Sequence, residues 1–394
     1  MAALDFPIFD ADNHFYEATD AFTRYLDPKL RKRAMQWAEI DGKTRLLVAG
    51  QVNRFIPNPT FAQVSEPGVL MDFFRAKDGV QDMRAGLGTL VPIEERPEYR
   101  DRTARLALMD SQGIEATIML PTLGVGMETA LSHDTEALSA AFTAFNRWMD
   151  EDWGFNYLDR IYGAPYISLA DPDWAVNELE DVLGRGARVI LMRPGSVPNP
   201  HGRRTPGDPR HDAFWARLDE AGVALVFHGG DSGYQVYEQM WGLSGETEAF
   251  RQPPLRKLLS ASPISDTIAS LFADKLFERF GNLRVATIET GSTWVAPLLK
   301  KLKSVHVQAP GEFAEAPYEL FMRHVSVSPF FEDDVYALID AVGAERVLFG
   351  SDYPHVEGLA DPSEFIHEID QLDVADIRKI MHDNCRRLVT AQPR

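Results

Sequence analysis

The chain has 394 residues, and its 59 acidic side chains outnumber its 40 basic ones, which gives a formal charge of -19. Such an acidic excess argues against partners with a phosphate backbone, such as nucleic acids, and against an anionic membrane surface. With 45% hydrophobic and 25% charged residues, the composition is that of a folded globular protein. We therefore expect a small-molecule substrate.

The sequence also bears on the cellular compartment. Its single cysteine, Cys385, cannot form an internal disulfide, so nothing indicates an oxidising environment. The first residues lack the basic and apolar regions of a signal peptide, and no later apolar run approaches the roughly 20 residues of a membrane span. We expect a soluble, cytoplasmic protein.

Short apolar runs alternate with segments of helical periodicity along most of the chain. The runs predict eight strands, at residues 6–9, 114–120, 161–167, 187–192, 223–228, 283–288, 324–327 and 347–351. The helical segments predict helices that end before Gly113 and at 134–153, 171–183, 213–221, 262–280, 294–302, 333–342, 362–372 and 373–388. This alternation predicts an α/β fold, and eight units predict a closed (β/α)8 TIM barrel rather than an open sheet.

Two longer stretches interrupt the alternation. Residues 16–105 are rich in proline, glycine and aromatic side chains without a regular period, and residues 229–260 form a smaller stretch of the same kind. We predict one metal-dependent barrel domain over residues 1–394, with 16–105 as an insertion or cap after strand one and 229–260 as a smaller insertion after strand five. Exposed apolar residues on an insertion could serve a homo-oligomer.

Polar side chains stand at the ends of several predicted strands. Asp12 and His14 follow the first strand two positions apart, so in an extended chain they share a face. His228 ends the fifth strand, Glu289 follows the sixth and Asp352 follows the eighth. Because the carboxyl ends of barrel strands share one mouth, these imidazoles and carboxylates predict a site for a single divalent ion.

Each residue also has a structural interpretation when it is considered alone. His228 could be a buried histidine at a strand end, and Asp352 could hold the turn that precedes Tyr353. Glu289 could be the ion-pair partner of Arg193, which follows strand four. Only their common placement favours the metal-ligand interpretation.

Four stretches together resemble the amidohydrolase superfamily, in particular the branch related to aminocarboxymuconate semialdehyde decarboxylase: residues 9–14 (FDADNH), 225–228 (LVFH), 288–291 (IETG) and 350–355 (GSDYPH). The resemblance implies that Asp12 and His14 stand where relatives have a His-x-His or Glu-x-His ligand pair, and that His228 and Asp352 complete the site. Members with two metals carry a carboxylated lysine on strand four, but residues 187–192 contain no lysine. One ion is therefore implied; we expect zinc, with manganese and iron(II) as alternatives.

The sequence departs from the resembled decarboxylases at strand six, where they carry a histidine and this chain has Glu289. A glutamate beside bound water is a credible general base, so the predicted function is a mononuclear hydrolase that uses metal-activated water. Either Glu289 or Asp352 could be the base, and His355 could stabilise developing negative charge. The cleaved bond could be an ester, thioester, amide or activated carbon–carbon bond.

Other residues are candidates for substrate contacts. Arg193 and Arg54 could hold a carboxylate, and aromatic side chains in the insertions, including Tyr234 and Trp241, could cover a hydrophobic or aromatic substrate. Packing of a lid explains the aromatic residues equally well. The alternatives to hydrolysis are non-oxidative decarboxylation of an aromatic or unsaturated carboxylic acid and a barrel that binds a ligand without catalysis.

Overall fold

The structure of the protein is a computed structural model, which describes residues 5–75, 87–198, 204–243, 253–259, 261–330 and 333–390. Two sheets of parallel strands form its centre. Their strands are β1 (Ile8–Phe15), β7 (Ile114–Pro121), β8 (Ile161–Gly163), β9 (Val189–Met192), β10 (Ala224–His228), β11 (Arg284–Ile288) and β12 (Val325–Val327). The first sheet has the order β1-β7-β8, and the second has the order β12-β11-β10-β9. The predicted α/β class with parallel strands is confirmed.

Backbone hydrogen bonds connect the two sheets along both of their outer edges. On one side, residues 347–353 lie between β12 and β1: Leu348 N donates to Val327 O and Ala11 N donates to Phe349 O, each at 2.9 Å. On the other side, Leu191 N in β9 donates to Pro165 O at 2.9 Å, just beyond β8.

Three predicted strands differ from the observed ones by more than two residues or in their pairing. The first is longer than the predicted 6–9, so Asp12 and His14 lie inside β1 rather than after it. The third ends at Gly163 rather than at residue 167, since Pro165 has no N–H to continue the ladder. In place of the predicted strand 347–351, Val347 and Tyr353 make isolated bridges to β12 and β1 rather than a continuous ladder.

The helices surround the sheets. The α-helices are Met71–Phe74, Arg102–Gln112, Glu128–Leu131, Thr135–Asp152, Pro172–Gly184, Asp212–Ala221, Gln235–Gln239, Pro254–Leu258, Pro263–Ala273, Leu276–Arg279, Val295–Gln308, Pro317–His324, Val335–Val342, Val374–Arg378 and Asn384–Thr390. Short 3-10 turns occupy Ile93–Glu95, Pro97–Tyr99, Gly124–Gly126, Pro209–His211, Ala344–Arg346 and Pro362–Glu368, and Lys379–Asp383 is a π-helical turn. Among these described segments, none is a helix long and apolar enough to cross a membrane.

A capping side chain explains where one predicted helix begins, and backbone conformation explains why another predicted helix is interrupted. Asp171 caps Pro172–Gly184 through the N–H groups of residues 173 and 174, as the sequence predicted. The predicted helix 262–280 is broken at Lys275, whose φ of 56° is left-handed. Residues 362–368 are a 3-10 turn, not an α-helix. The helix Pro317–His324 was not predicted, and it takes His324 out of the predicted seventh strand.

The stretch 16–105 contains elements that the sequence did not predict. Strands β2 (Met35–Ile40), β3 (Lys43–Val48) and β4 (Gln51–Val52) form an antiparallel sheet, and β5 (Gln63–Val64) pairs with β6 (Val91–Pro92). Most residues of these strands are only partly buried, so their sequences lack the continuous apolar runs of the central strands.

A buried arginine and an aromatic cluster hold the end of β1. Arg105 is fully buried; it donates to His14 O at 2.8 Å and to the side chain of Asn13, and it lies over the rings of Trp153 and Tyr353. Phe15 packs against the Trp153 ring with 5.4 Å between centroids. Each aromatic contact contributes about 0.5–1.5 kcal/mol beyond burial, so this end of β1 is firmly anchored.

We expect the stability of the protein to fall in mild acid because of His211. This histidine is 2% exposed, and burial, together with the charge of Arg210, lowers its pKa to about 4. Since the unfolded state has the higher pKa, about 6.5, it takes up the proton first. The stabilisation from neutral His211 is complete above pH 6.5, and it declines as the pH falls toward 4, by roughly 2 kcal/mol at pH 5.

Urea unfolding at pH 7.5 and pH 5.0 measures this contribution. The free energy of unfolding should drop more between these pH values in the wild type than in His211→Gln, whose side chain stays neutral. An equal drop in both proteins would show that His211 does not contribute to the acid sensitivity.

Candidate metal centre

Six polar side chains meet at the carboxyl ends of β1, β10 and β11. They are Asp12 and His14 inside β1, His228 at the end of β10, Glu289 directly after β11, and Asp352 and His355 in the segment that follows residue 351. Asp12, His14, His228 and Glu289 offer ligand atoms that all lie within 4.8 Å of one another, as do His14, Glu289, Asp352 and His355. The structure thus brings together the five residues that the sequence singled out at strand ends, and His355 lies with them.

The nitrogen–oxygen distances show how tight the cluster is. His14 Nε2 lies 3.0 Å from Asp12 Oδ1, 3.5 Å from Asp352 Oδ1 and 3.6 Å from Glu289 Oε2. His228 Nε2 lies 2.9 Å from Glu289 Oε2 and 3.5 Å from Asp12 Oδ1. Two imidazole nitrogens therefore face three carboxylates.

The other ring nitrogens indicate which tautomers the histidines adopt. His14 Nδ1 lies 3.2 Å from Pro121 O, and His228 Nδ1 lies 2.7 Å from Gly229 O. A carbonyl only accepts, so each Nδ1 carries a hydrogen, and whenever the ring is neutral its Nε2 lone pair faces the carboxylates. Backbone carbonyls orient metal-binding histidines in this way.

The cluster fits a divalent cation. Nε2 of His228 and Oδ2 of Asp352 are buried atoms without a hydrogen-bond partner among the described residues. Lone pairs of neutral histidines that face carboxylate oxygens repel one another unless a positive charge lies between them. Nitrogen and oxygen donors together suit zinc, manganese or iron(II).

In the metal-free protein, protons take the place of that positive charge. Burial lowers the pKa of His228, but Glu289 and Asp12 outweigh burial and raise this pKa to about 10. The pKa of His14 is also raised, because its bonds to Asp12 and Glu289 outweigh its burial. Metal ions and protons therefore compete for the same nitrogens.

Metal binding should release protons and strengthen as the pH rises. Because both imidazoles must be neutral to bind the ion, we expect at least about one proton released per ion at pH 7 and an affinity that increases from pH 6 to pH 8. Calorimetry in buffers of different ionisation enthalpy measures the proton count. Binding without proton release at pH 7 would contradict the raised pKa values.

Asp352 and His355 share a proton in a chain that reaches the backbone. Thr122 donates its hydroxyl hydrogen to Phe15 O at 2.8 Å, so its oxygen accepts from His355 Nε2 at 3.0 Å. His355 Nδ1 then accepts from Asp352 Oδ1, which lies 2.5 Å away. This arrangement agrees with burial and the nearby Glu289, which raise the pKa of Asp352, and with burial and His14, which lower that of His355 to about 3.

Backbone strain marks the two carboxylates that follow the strands. Glu289 has a φ of 50° and Asp352 a φ of 57°, both in the left-handed region that residues other than glycine rarely adopt. Such strain persists only where the surroundings hold it, and it concentrates at functional sites. Gly229 permits this geometry, since a Cβ there would lie 2.3 Å from Glu289 O.

Gly350 allows the segment before Asp352 to approach β1. A Cβ at this position would lie 2.6 Å from Asp12 Cβ and 2.9 Å from Ser328 Oγ, so Gly350→Ala must displace Asp12. We expect at least about tenfold weaker metal binding, because metal ligands tolerate only about 0.5 Å of error. Competition with a chromophoric chelator measures the affinity.

The matched control for this variant is Gly184→Ala at an exposed helix end, where an added Cβ meets nothing within 4 Å. It should bind metal as the wild type does. Unchanged affinity in Gly350→Ala would show that the close approach does not position Asp12.

Several residues near the site were not singled out from the sequence. Asp10 accepts hydrogen bonds from Ser351 N and Oγ and from Asn13 Nδ2, and burial raises its pKa to about 6. Its alternation with Asp12 in the first motif was an available signal. Glu17 is buried and accepts from the backbone N–H groups of residues 123 and 124, a contact that no sequence pattern reveals.

Arg193 and Tyr234, which were predicted to contact substrate, bond to residues outside the cluster. Arg193 pairs with Glu128 at 3.4 Å and donates to Thr129 Oγ1 at 3.1 Å, so the alternative that it pairs with Glu289 is wrong. Tyr234 donates to Asp266 at 2.7 Å, and Trp241 is 57% exposed. Arg54 is exposed and follows β4. In the described part of the chain, no hydrogen bond or ion pair joins Arg193, Tyr234 or Trp241 to the cluster.

Parallel strands that gather histidines and carboxylates at their carboxyl ends define a metal-dependent α/β protein of the amidohydrolase type. The family model for amidohydrolases matches residues 9–390, and the chain belongs to this family. The superfamily resemblance inferred from the sequence is thereby confirmed. No curated protein matches the chain.

Solved structures agree with this assignment. An amidohydrolase from Mycobacterium avium subsp. paratuberculosis K-10 is 44% identical, with a TM-score of 0.92 over 98% of this chain and 100% of that one. The 5-carboxyvanillate decarboxylase from Sphingomonas paucimobilis is 17% identical, with a TM-score of 0.60 over 98% and 99%. A dihydroxybenzoic acid decarboxylase from Polaromonas sp. JS666, solved with manganese and 2-nitroresorcinol, is 20% identical, with a TM-score of 0.54 over 76% and 90%. The two decarboxylases share the fold.

Proposed function

We propose that the protein is a mononuclear metal-dependent hydrolase acting on an ester, thioester, amide or activated carbon–carbon bond of a small hydrophobic or aromatic substrate. The position of Glu289 is the main support for this function. It stands 2.9 Å from His228 and is 20% exposed at its side chain, whereas the side chains of Asp12, His14, His228 and Asp352 are 1–4% exposed. Glu289 is thus the carboxylate that an entering water or substrate meets.

The proposed scaffold is a single closed barrel with eight strand positions. The backbone bonds of residues 347–353 to both β12 and β1, and those between residues 165–167 and β9, support this closure. In such a barrel the carboxyl ends of the strands form the active-site mouth, where the six polar side chains lie.

Asp12, His14, His228 and Asp352 would hold the ion, for which zinc is our first choice and manganese or iron(II) the alternatives. When bound, a divalent ion lowers the pKa of water and polarises a carbonyl oxygen. The four proposed ligands are almost completely buried, and hydrogen bonds to the backbone fix both imidazoles. Because these four side chains are buried and rigid, we assign proton transfer to the more exposed Glu289.

Glu289 is suited to accept a proton from water. In the metal-free protein, burial alone would raise its pKa, but the charges of His228 and His14 outweigh burial and hold the pKa well below its usual range. In the metal-loaded protein both imidazoles are neutral, and the nearby cation would replace their charges in keeping Glu289 a carboxylate at neutral pH. It would take a proton from the attacking water and deliver it to the leaving group.

His355 would lie beside the reacting centre, next to His14. Its ring lies 4.1 Å from the His14 ring, centroid to centroid, and Tyr16, whose ring stacks on buried Phe61, lies 6.0 Å from it. These aromatic walls suit a hydrophobic or ring-bearing substrate. Both ring nitrogens of His355 are engaged, with Thr122 and with Asp352, so stabilising developing negative charge would require one of these hydrogen bonds to be exchanged for a bond to a substrate oxygen.

Non-oxidative decarboxylation is the second candidate. The fold similarity to decarboxylases that act on 5-carboxyvanillate and dihydroxybenzoic acid favours it. Against it, the charge of Arg193, which would have held the substrate carboxylate, is already balanced by Glu128. The histidine that the resembled decarboxylases have at strand six is also replaced by Glu289.

Product analysis in ¹⁸O-labelled water separates the two reactions. We expect one or more members of a panel of aryl esters, thioesters, amides and β-diketones to be cleaved, with one solvent oxygen in the acid product. Carbon dioxide release from hydroxybenzoates without ¹⁸O incorporation would contradict hydrolysis and support decarboxylation.

Two variants separate metal binding from proton transfer. Glu289→Gln should retain the metal and lose roughly 10²–10⁴-fold in kcat, since it removes a general base. Asp352→Asn should lose metal, as measured by elemental analysis. The exposed Glu220→Gln is the matched control and should keep both properties. Wild-type turnover in Glu289→Gln would exclude it as the base.

A further inference from the structure

A second polar cavity lies at the opposite ends of the strands. It has a volume of about 160 Å³, and its walls come from the start of β11, the start of β12, the turn before residue 347 and the C-terminal helix Asn384–Thr390. The lining side chains include Arg284, Arg323, Arg346 and Arg387. Arg284 begins the strand that Glu289 follows, so roughly 16 Å of extended chain separates this cavity from the metal centre.

The charge of the cavity is opposite to that of the protein. The chain as a whole carries -19, yet four guanidinium groups line this space, and no aspartate or glutamate is among its lining residues. Like charges brought together repel one another, and this costs free energy unless an anion balances them. We name this space the arginine cavity.

Two of its arginines make no ion pair with a carboxylate among the described residues. The Arg346 side chain makes no hydrogen bond or ion pair in that part of the chain; burial and the charge of Arg387 lower its pKa, and the charge of the neighbouring Glu345 offsets them only in part. Among the described residues, Arg387 donates to neutral oxygens only, Glu345 O at 3.0 Å and Asn384 Oδ1 at 3.1 Å. Arg323, by contrast, pairs with Glu315.

A buried histidine on the wall supplies an independent observation. His324 is 3% exposed, and its Nδ1 lies 2.7 Å from Leu283 O, so Nδ1 carries a hydrogen. Its Nε2 is buried without a partner among the described residues. An unpartnered buried polar atom is rare, and here it belongs to a residue of the cavity wall.

We infer that the arginine cavity is a binding site for a small phosphate-bearing anion, distinct from the metal centre. Guanidinium groups bind the oxygens of a phosphate through paired, charge-assisted hydrogen bonds. Ser326 and Asn384 add neutral polar groups to the wall. The volume is many times the roughly 10–15 Å³ that one water requires, so a polyatomic anion fits.

The anion could be free inorganic phosphate or the phosphate of a small metabolite. Calorimetric titration of the metal-loaded protein with inorganic phosphate and with glycerol 3-phosphate, at ionic strength matched with chloride, distinguishes these sources. We expect saturable binding of one anion per chain. Tighter binding of glycerol 3-phosphate would assign the site to a phosphorylated metabolite, and equal or weaker binding would assign it to free phosphate.

Variants show whether the bound anion lies in the arginine cavity. Arg346→Gln and Arg387→Gln should each weaken binding at least about tenfold and leave turnover at the metal centre unchanged. Because Arg387 is exposed on a helix, its variant should fold even if Arg346→Gln does not. The control is Arg378→Gln, which removes an exposed arginine outside the cavity and should bind as the wild type does.

Two results would overturn the inference. One is the absence of saturable binding of either probe at millimolar concentration. The other is wild-type affinity in both Arg346→Gln and Arg387→Gln, which would place the anion elsewhere, including at the metal centre. Failure of the hydrolase proposal would leave both measurements unaffected, since they do not depend on the reaction catalysed.

Discussion

The buried carboxylate of Asp10 is the contact on which the arrangement of the site depends. It accepts hydrogen bonds from both the backbone N–H and the hydroxyl of Ser351, and from Asp12 N at 3.0 Å. The two bonds from Ser351 hold the first strand of the chain against a segment about 340 residues later, and they add to backbone hydrogen bonds that form isolated bridges rather than a continuous ladder. Asp12 lies two residues after Asp10, and Asp352 directly follows Ser351. The bonds between Asp10 and Ser351 therefore help to hold Asp12 and Asp352 in one cluster.

The side chains of the cluster fall into two kinds, those that are buried and held rigidly and one that solvent can reach. Residues that are buried and fixed through backbone carbonyls, such as His14 and His228, are suited to hold an ion in place. Glu289, which is strained but partly exposed, can reach a water molecule or substrate. The free-energy cost of gathering three carboxylates in a buried space is offset when a divalent cation binds among them.

Much of the centre followed from the sequence, because apolar runs specify buried parallel strands and their ends share one face. Residues at strand ends, from Asp12 to Asp352, could therefore be grouped without a structure. Contacts between distant segments could not. The Arg193–Glu128 ion pair, the small sheets within 16–105 and the arginine cavity arise from tertiary packing, which local periodicity does not encode.

Anomalous diffraction at the metal edge from crystals of the metal-loaded protein would locate the ion and its ligands together. We expect one ion bonded to Nε2 of His14, Nε2 of His228 and oxygens of Asp12 and Asp352, with Glu289 beside it but not bonded to it. An ion ligated by Glu289, or no ion at this cluster, would contradict the assignment of Glu289 as the base.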